Sequence, residues 1–212
     1  MSLSLKNIIF DWSGVINDNQ VTTFRVINKM FQHFGVPTIS HEEFRREWEQ
    51  PFMLFYHKYL PDLDLAEEIR AYNHIYPEIK KDFPPTPYPG IVGLIKSCLN
   101  QAKVLYIVSS DYRPHLLGEV EDFGLKDAFN EILASIHDKQ AALRNLVINN
   151  KLAPEQTIFI GDTAHEIDVG KKAGIKTAGV TWGIHTEERL KRAQPHYLAH
   201  NLSELEAVIL DH

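Results

Sequence analysis

Asp11 directly follows the apolar run Asn7-Ile8-Ile9-Phe10 and directly precedes Trp12-Ser13-Gly14-Val15, so a carboxylate is left at the carboxyl end of a short strand, where the chain turns. Open α/β sheets place their chemistry at that edge. A second acidic loop has the same setting far along the chain, Ile158-Phe159-Ile160-Gly161-Asp162-Thr163-Ala164-His165-Glu166. Carboxylates at two strand ends can share one divalent cation, and Mg²⁺ suits such a site because it takes few protein carboxylates and keeps several waters. Ser109, after Leu105-Tyr106-Ile107-Val108, adds a hydroxyl at a third strand end, and Lys139, ahead of an apolar helix, adds a fixed cation. Together these groups suit phosphoryl transfer, in which negative oxygens need a cation, a hydroxyl and a metal, and a carboxylate can form an aspartyl-phosphate. Ser13 stands two places after Asp11, where a second carboxylate would complete a nucleophile and acid pair.

The elements that must position these groups alternate in type. After the strand before Asp11, Phe24, Ile27, Met30, Phe31 and Phe34 recur at helical spacing up to a Gly35 stop. Ser40 with Glu43 gives a capping box for a second helix, which Pro51 breaks or kinks, and a third amphipathic stretch runs from about Leu65 to Ile79. A turn-rich segment, Phe83-Pro84-Pro85-Thr86-Pro87-Tyr88-Pro89-Gly90, closes this helical unit. Beyond it the pattern predicts a helix near 91–99, a strand Val104 to Val108, a helix ending at Gly124, a strand near Glu131 to Ala134 and a helix from about 138 to 149. The strand Thr157 to Ile160, a helix through Lys171, the strand Thr177 to Val180 and helices near 186–193 and 202–210 complete it.

Such alternation implies an α/β fold: a Rossmann-like parallel sheet with right-handed crossovers and helices on both faces. Residues 1–16 and 84–212 are expected to form this core, with 17–83 a helical cap inserted after the first strand. Both connections of that insertion emerge at the strand's carboxyl end, so the cap is expected to act as a lid that excludes water and selects substrates. Met1-Ser2-Leu3 takes no part in this reading.

Composition narrows the partners. The chain of 212 residues carries a net charge of −6 without a Lys/Arg block, which gives no electrostatic reason to expect nucleic acid or a membrane surface. No apolar stretch approaches the ~20 residues that cross a bilayer, and no signal peptide is evident. Cys98 is the single cysteine, in the apolar context Ile95-Lys96-Ser97-Cys98-Leu99, which reads as a buried structural thiol and fits a reducing, cytoplasmic setting.

Read together, these strings resemble the haloacid dehalogenase-like (HAD) hydrolase superfamily, in its phosphoglycolate phosphatase-like branch with a helical cap, over nearly the whole chain. Phe10-Asp11-Trp12-Ser13-Gly14-Val15 resembles the nucleophile motif, Ile107-Val108-Ser109-Ser110 the phosphate-binding motif, and Gly161-Asp162-Thr163-Ala164-His165-Glu166 the acidic metal loop, followed by Lys171, Lys172, Ala173 and Gly174. Tyr88-Pro89-Gly90 and Val180-Thr181-Trp182-Gly183 also resemble this branch. The resemblance implies a phosphatase of small phosphorylated metabolites in which Asp11 attacks phosphorus and ligates Mg²⁺. It implies that Ser109, Ser110 and Lys139 bind the substrate phosphate, and that the Ser13 backbone carbonyl and Asp162 complete the metal site. Glu166 would hold the metal's waters or Lys139, with Asp168 the alternative acid on the same loop. Active relatives carry aspartate where this chain has Ser13, as acid for the leaving group and base for water; serine does not titrate near neutrality, so that contribution of ~10²–10⁴-fold should be reduced.

Other readings stand beside this one. Phosphonoacetaldehyde hydrolase also has tryptophan after its nucleophile and lacks the second aspartate; its chemistry, C–P bond hydrolysis, needs a cap lysine as Schiff base, for which Lys29 and Lys58 are available. A phosphate-ligand binding or regulatory protein that lost turnover through Ser13 is the third reading. None of the eleven histidines has zinc-ligand spacing; His137 and His165 flank the motif loops as polar residues. Phe52, Phe55, Tyr56 and Tyr59 read as cap core, and Arg45 and Arg46 as a solvated helix face.

Overall fold

A computed structural model describes residues 4–210. Along the chain it forms β1 (Asn7–Phe10), β2 (Asn17–Asp18), α1 (Gln20–His33), α2 (His41–Glu47), α3 (Met53–Tyr56), α4 (Leu65–Asp82) and β3 (Thr86–Pro87). There follow α5 (Ile91–Asn100), β4 (Val104–Val108), α6 (Arg113–Asp122), β5 (Glu131–Leu133), α7 (Lys139–Asn149), β6 (Thr157–Gly161), α8 (Ala164–Lys172), β7 (Lys176–Val180), α9 (Glu187–Ala193), β8 (Tyr197–Ala199) and α10 (Leu202–Leu210). The chain divides into two compact units, one of residues up to Asp18 and from Pro87 onward, the other Asn19–Thr86. Among the described residues no helix is long and apolar enough to cross a membrane.

The larger unit is a six-stranded sheet in the order β5-β4-β1-β6-β7-β8, parallel throughout. Its strands are apolar on both faces, as buried parallel strands must be. Ile8, Phe10, Leu105, Ile107, Ile158 and Ile160 join one core with residues of α5, α6 and α10. Ile9, Tyr106, Val108 and Phe159 point the other way, into a second core with Leu143 and Leu146 of α7 and Val169 of α8. Cys98 is fully buried in the first, and burial pushes its thiol up to about 11.

Strand order determines where the site lies. From β1 the chain goes outward through β4 and β5, then returns to β6 on the far side of β1 and continues outward. The order therefore reverses beside β1, and the crevice outside the carboxyl ends at that reversal is where open α/β sheets bind ligands. The loops after β4, β1 and β6 are adjacent there, and they carry Ser109, Asp11 and Asp162.

The smaller unit is helical and aromatic-rich. The Ser40 side chain accepts from Glu43 N–H at 3.1 Å and caps α2, which ends before Pro51. Phe31, Phe44 and Phe55 are fully buried and stack or abut one another, with ring centroids 6.0–6.2 Å apart for the Phe31–Phe55 and Phe44–Phe55 pairs. Gly35 has φ +71° just past α1, the left-handed conformation that a non-glycine residue reaches only with strain.

Candidate active site

Asp11 lies one residue beyond β1, its backbone N–H still paired with Ile160 O on β6 at 2.9 Å. Trp12 N–H donates to Asp11 Oδ1 at 2.8 Å, while Oδ2 faces the Lys139 ammonium at 2.9 Å. Lys139 opens α7, whose N-cap Asp138 accepts from Ala141 N–H, and it is only 2 % exposed. The same ammonium donates to Glu166 Oε1 at 2.8 Å. The other oxygen of Glu166 is spent locally: it accepts from Thr163 N–H at 2.8 Å and Thr163 Oγ1 at 2.5 Å, closing the capping box of α8. One helix cap thus fixes a carboxylate that fixes the lysine that faces Asp11.

Asp162 follows β6 and accepts from Ile184 N–H at 2.7 Å. Glycines wall it in. A Cβ on Gly14 would fall 2.1 Å from Asp162 Oδ2, and one on Gly183 would fall 2.2 Å from its Cβ, so neither position admits a side chain without displacing the carboxylate. Buried His185 supports this loop from behind, its ring Nδ1 accepting from Ala164 N–H at 2.9 Å.

Carboxylate oxygens of Asp11, Asp162 and Glu166 come within 4.8 Å of one another, all buried. Three carboxylates against one ammonium leave two negative charges uncompensated, and the titrations reflect this. Burial, opposed by Lys139 and assisted by Glu166, raises Asp11 to about 7. Burial with the charges of Glu166 and Asp11 raises Asp162 well above the usual carboxylate range, despite the Ile184 N–H. Glu166 moves the opposite way, to about 2: burial raises it, but Lys139 and the Thr163 hydroxyl outweigh burial. Lys139 is held cationic because Asp11 and Glu166 overcome its desolvation. An all-oxygen cluster with excess negative charge fits a hard divalent cation. Both oxygens of Glu166 are tied to Lys139 and Thr163, both oxygens of Asp11 meet Trp12 N–H and Lys139, and Asp162 Oδ2 accepts from Ile184 N–H.

Ser109, 1 % exposed, and Ser110, half-buried, follow the neighbouring strand β4. A residue the sequence reading passed over joins them to the nucleophile loop. Asp111 Oδ2 accepts from the Ser13 hydroxyl at 2.6 Å and from the Ser109 hydroxyl at 3.1 Å, and Asp111 N–H returns to Ser109 Oγ at 3.2 Å. Burial raises the Asp111 carboxyl, against the Ser13 hydrogen bond and the charge of Lys139. Also passed over is Glu119 of α6, whose Oε2 accepts from Trp12 Nε1 at 2.7 Å and Asn17 Nδ2 at 2.8 Å, tying both ends of the nucleophile loop. The Thr163-x-x-Glu166 capping box was readable in the sequence; Asp111 had only its place two residues after a motif serine.

Several named residues lie outside this cluster. Asp168 is exposed, so of the two acids on that loop Glu166 is the one in the cluster. His165 is half-buried, with its pKa lowered by burial. Lys29 is exposed, and Lys58 lies on the cap surface with its ammonium on Glu47, 2.8 Å from the carbonyl oxygen and 3.2 Å from Oε2. Neither has the desolvated setting that activates a Schiff-base lysine.

Comparison with known proteins decides the family: residues 8–180 match the haloacid dehalogenase-like hydrolase model. The chain belongs to the haloacid dehalogenase-like hydrolases. It is 23 % identical over 206 residues to a phosphoglycolate phosphatase of Synechococcus elongatus, covering 95 % of each chain. A pyrophosphatase, PpaX, of Bacillus pumilus is 28 % identical with 97 % of each chain covered. Among solved structures, a haloacid dehalogenase-like family hydrolase from Streptococcus pneumoniae superposes with a TM-score of 0.79 at 23 % identity, covering 98 % of this chain and 99 % of that one. For this haloacid dehalogenase-like hydrolase, the expected α/β sheet with helices on both faces is the observed one, with one added strand. β8 (Tyr197–Ala199) forms an edge where the sequence reading ran from one helix to the next.

Proposed function

We propose that this haloacid dehalogenase-like hydrolase is a Mg²⁺-dependent phosphomonoester hydrolase of small phosphorylated metabolites, working through an aspartyl-phosphate on Asp11. The observation that carries the reading is the buried chain Asp11–Lys139–Glu166 beside Asp162, which presents a carboxylate oxygen next to one fixed cation and an acidic pocket. The relatives named as phosphatase and pyrophosphatase support phosphate as the group attacked. In the first half-reaction an Asp11 oxygen bonds to phosphorus while the bond to the leaving oxygen breaks, the electron pair departing with that oxygen. Lys139 holds the phosphoryl oxygens, and the Ser109 hydroxyl joins it by exchanging its longer, 3.1 Å bond to Asp111 for a phosphoryl oxygen, with Ser110 on the same loop. In the second half-reaction water attacks phosphorus and the Asp11 carboxylate is regenerated. Asp11, Asp162 and the Ser13 carbonyl would hold Mg²⁺, with Glu166 supporting through Lys139; the ion supplies positive charge to the phosphoryl oxygens.

Ser13 shapes the kinetics. Without a carboxylic acid at that position, phosphates whose leaving groups depart unprotonated should be the better substrates. Phosphorylated metabolites, p-nitrophenyl phosphate and acetyl phosphate assayed with and without Mg²⁺ test the reading. Metal-dependent phosphate release, lost in Asp162→Asn together with the upward shift of the melting temperature by Mg²⁺, is expected. Release independent of metal, or an unchanged Mg²⁺ shift in that variant, would overturn it.

A further inference from the structure

The hydrogen bond between Ser13 and Asp111 joins the loop after β1 to the loop after β4 and has no part in the chemistry derived so far. Ser13 stands on the nucleophile loop two residues from Asp11, and at 2.6 Å its hydroxyl hydrogen is committed to Asp111 Oδ2. A hydroxyl has one hydrogen. Once that hydrogen is spent on a carboxylate, the Ser13 oxygen can only accept from anything else that approaches. A charged acceptor at short range also polarises the O–H bond and enriches the oxygen in negative charge. Asp111 itself is well anchored: its oxygen also receives the Ser109 hydroxyl, its N–H binds Ser109 Oγ at 3.2 Å, and its carbonyl accepts Ser135 N–H at 2.8 Å from the loop after β5. A carboxylate fixed from three sides thus sets the direction of a hydroxyl on the nucleophile loop, two residues from Asp11.

We infer that Asp111 is a positioning residue for the second half-reaction: it holds the Ser13 hydroxyl so that the Ser13 oxygen accepts a hydrogen bond from the water that hydrolyses the aspartyl-phosphate. This rests on the phosphatase reading above. In that step the water oxygen bonds to phosphorus, the bond from phosphorus to Asp11 breaks, and its electron pair returns to the Asp11 carboxylate. Both water hydrogens leave with the product as dihydrogen phosphate, so no proton has to remain on Ser13 or Asp111. The water is orientated without being deprotonated in advance, a weaker aid than general-base catalysis and one that fits a serine at this position. Leaving-group departure in the first half-reaction gains nothing from an acceptor, so the two half-reactions should respond differently to loss of Asp111.

The test measures them separately in the full chain with Mg²⁺ and p-nitrophenyl phosphate. Single-turnover release of p-nitrophenol reports phosphorylation of Asp11, and decay of the ³²P-labelled enzyme reports hydrolysis. Asp111→Ala is expected to slow decay about tenfold or more, an order-of-magnitude value for losing a positioned water, while p-nitrophenol release changes less than about threefold. Asp111→Asn, which keeps an acceptor oxygen in nearly the same volume, should recover part of the decay rate, and it carries the test if the alanine variant folds poorly. Ser13→Ala should slow decay as Asp111→Ala does, and the double variant should be no slower than either single one. Equal slowing of both half-reactions, additive losses in the double variant, or normal decay in Asp111→Ala would overturn the inference while leaving the phosphatase reading intact. Failure of the wild-type chain to take up ³²P from any phosphate tested would overturn both.

Discussion

Lys139 compensates two carboxylates at once, at 2.9 Å from Asp11 and 2.8 Å from Glu166, in a place where all three side chains are buried. Removing it leaves two buried anions without a cation, a change that typically costs about 3–5 kcal/mol of stability. Lys139→Ala is therefore expected to lower the melting temperature of the metal-free protein and to reduce kcat/KM at least a hundredfold, since the phosphoryl oxygens lose the same cation. A change in kcat/KM below threefold would show that Lys139 does not face substrate. Ser13 leads to a second expectation, now conditioned by its neighbour. Ser13→Asp introduces a carboxylate on the nucleophile loop, but it places that carboxylate against Asp111, which sits 2.6 Å from the present hydroxyl. Like charges at such range oppose one another, so the single substitution should raise steady-state turnover little, whereas Ser13→Asp combined with Asp111→Asn should raise it about tenfold or more. Steady-state assays of the two variants check this, and a full gain from the single substitution would contradict it. These residues also show what a sequence can reveal. Asp11, Ser109, Lys139 and Asp162 each stand at the end of an apolar run or the start of a helix, and that local context marks them. Asp111 acquires its role through a bond to a residue 98 positions away, and Glu119 through one spanning 107, pairings that exist only once β4 and α6 are set beside β1.

Elements were legible to the degree that burial imposed a pattern on them. β1 and β4 match their apolar runs to the residue, because parallel strands covered on both faces admit little else. The edge strand β8 escaped: Tyr197 and Leu198 are only half-buried, the strand is three residues long, and Pro195 just before it reads as a loop. α4 runs on to Asp82, beyond the expected Ile79, with Pro77 inside it. This same helix carries Glu68, a cap carboxyl only 5 % exposed, and burial raises it to about 7, opposed by a hydrogen bond with Tyr56. The folded carboxyl keeps its proton up to about pH 7, while an unfolded one releases it near its ordinary 4.5. Between those values the folded state binds more protons, so this group's contribution falls as pH rises from 4.5 through 7 and stays low above. A shift of that size corresponds to roughly 3 kcal/mol. Glu68→Gln is neutral at every pH, and it should raise the melting temperature at pH 8 while leaving it nearly unchanged at pH 4. Equal effects at both pH values would mean that Glu68 is already ionised within the fold.

At the scale of the whole molecule, the chain passes from one compact unit to the other at Asp18–Asn19 and back at Thr86–Pro87. Both segments adjoin the nucleophile loop. Asn17–Asp18 follows it directly and pairs with Thr86–Pro87 in a two-stranded sheet, and Tyr88 N–H, just beyond, donates to Ile16 O of that loop at 2.9 Å. The larger unit contains every group assigned to phosphoryl transfer, while the helical unit contributes none of them. Chemistry and selection should therefore be separable. Replacing residues 19–86 with a Gly-Ser linker of about six to eight residues, long enough for two hydrogen-bonded chain ends, should leave a core that folds cooperatively. That core should retain Mg²⁺-dependent hydrolysis of p-nitrophenyl phosphate, which needs only the β1, β4, β6 and α7 groups. Any discrimination among phosphorylated metabolites by the full chain should be lost, if the inserted unit is what selects the leaving group and excludes water. Comparing kcat/KM across the same metabolite panel for both proteins gives the answer. If the core alone kept the full chain's order of preference, specificity would reside in the loops of the sheet edge, and the helical unit would not be the lid its point of insertion suggests.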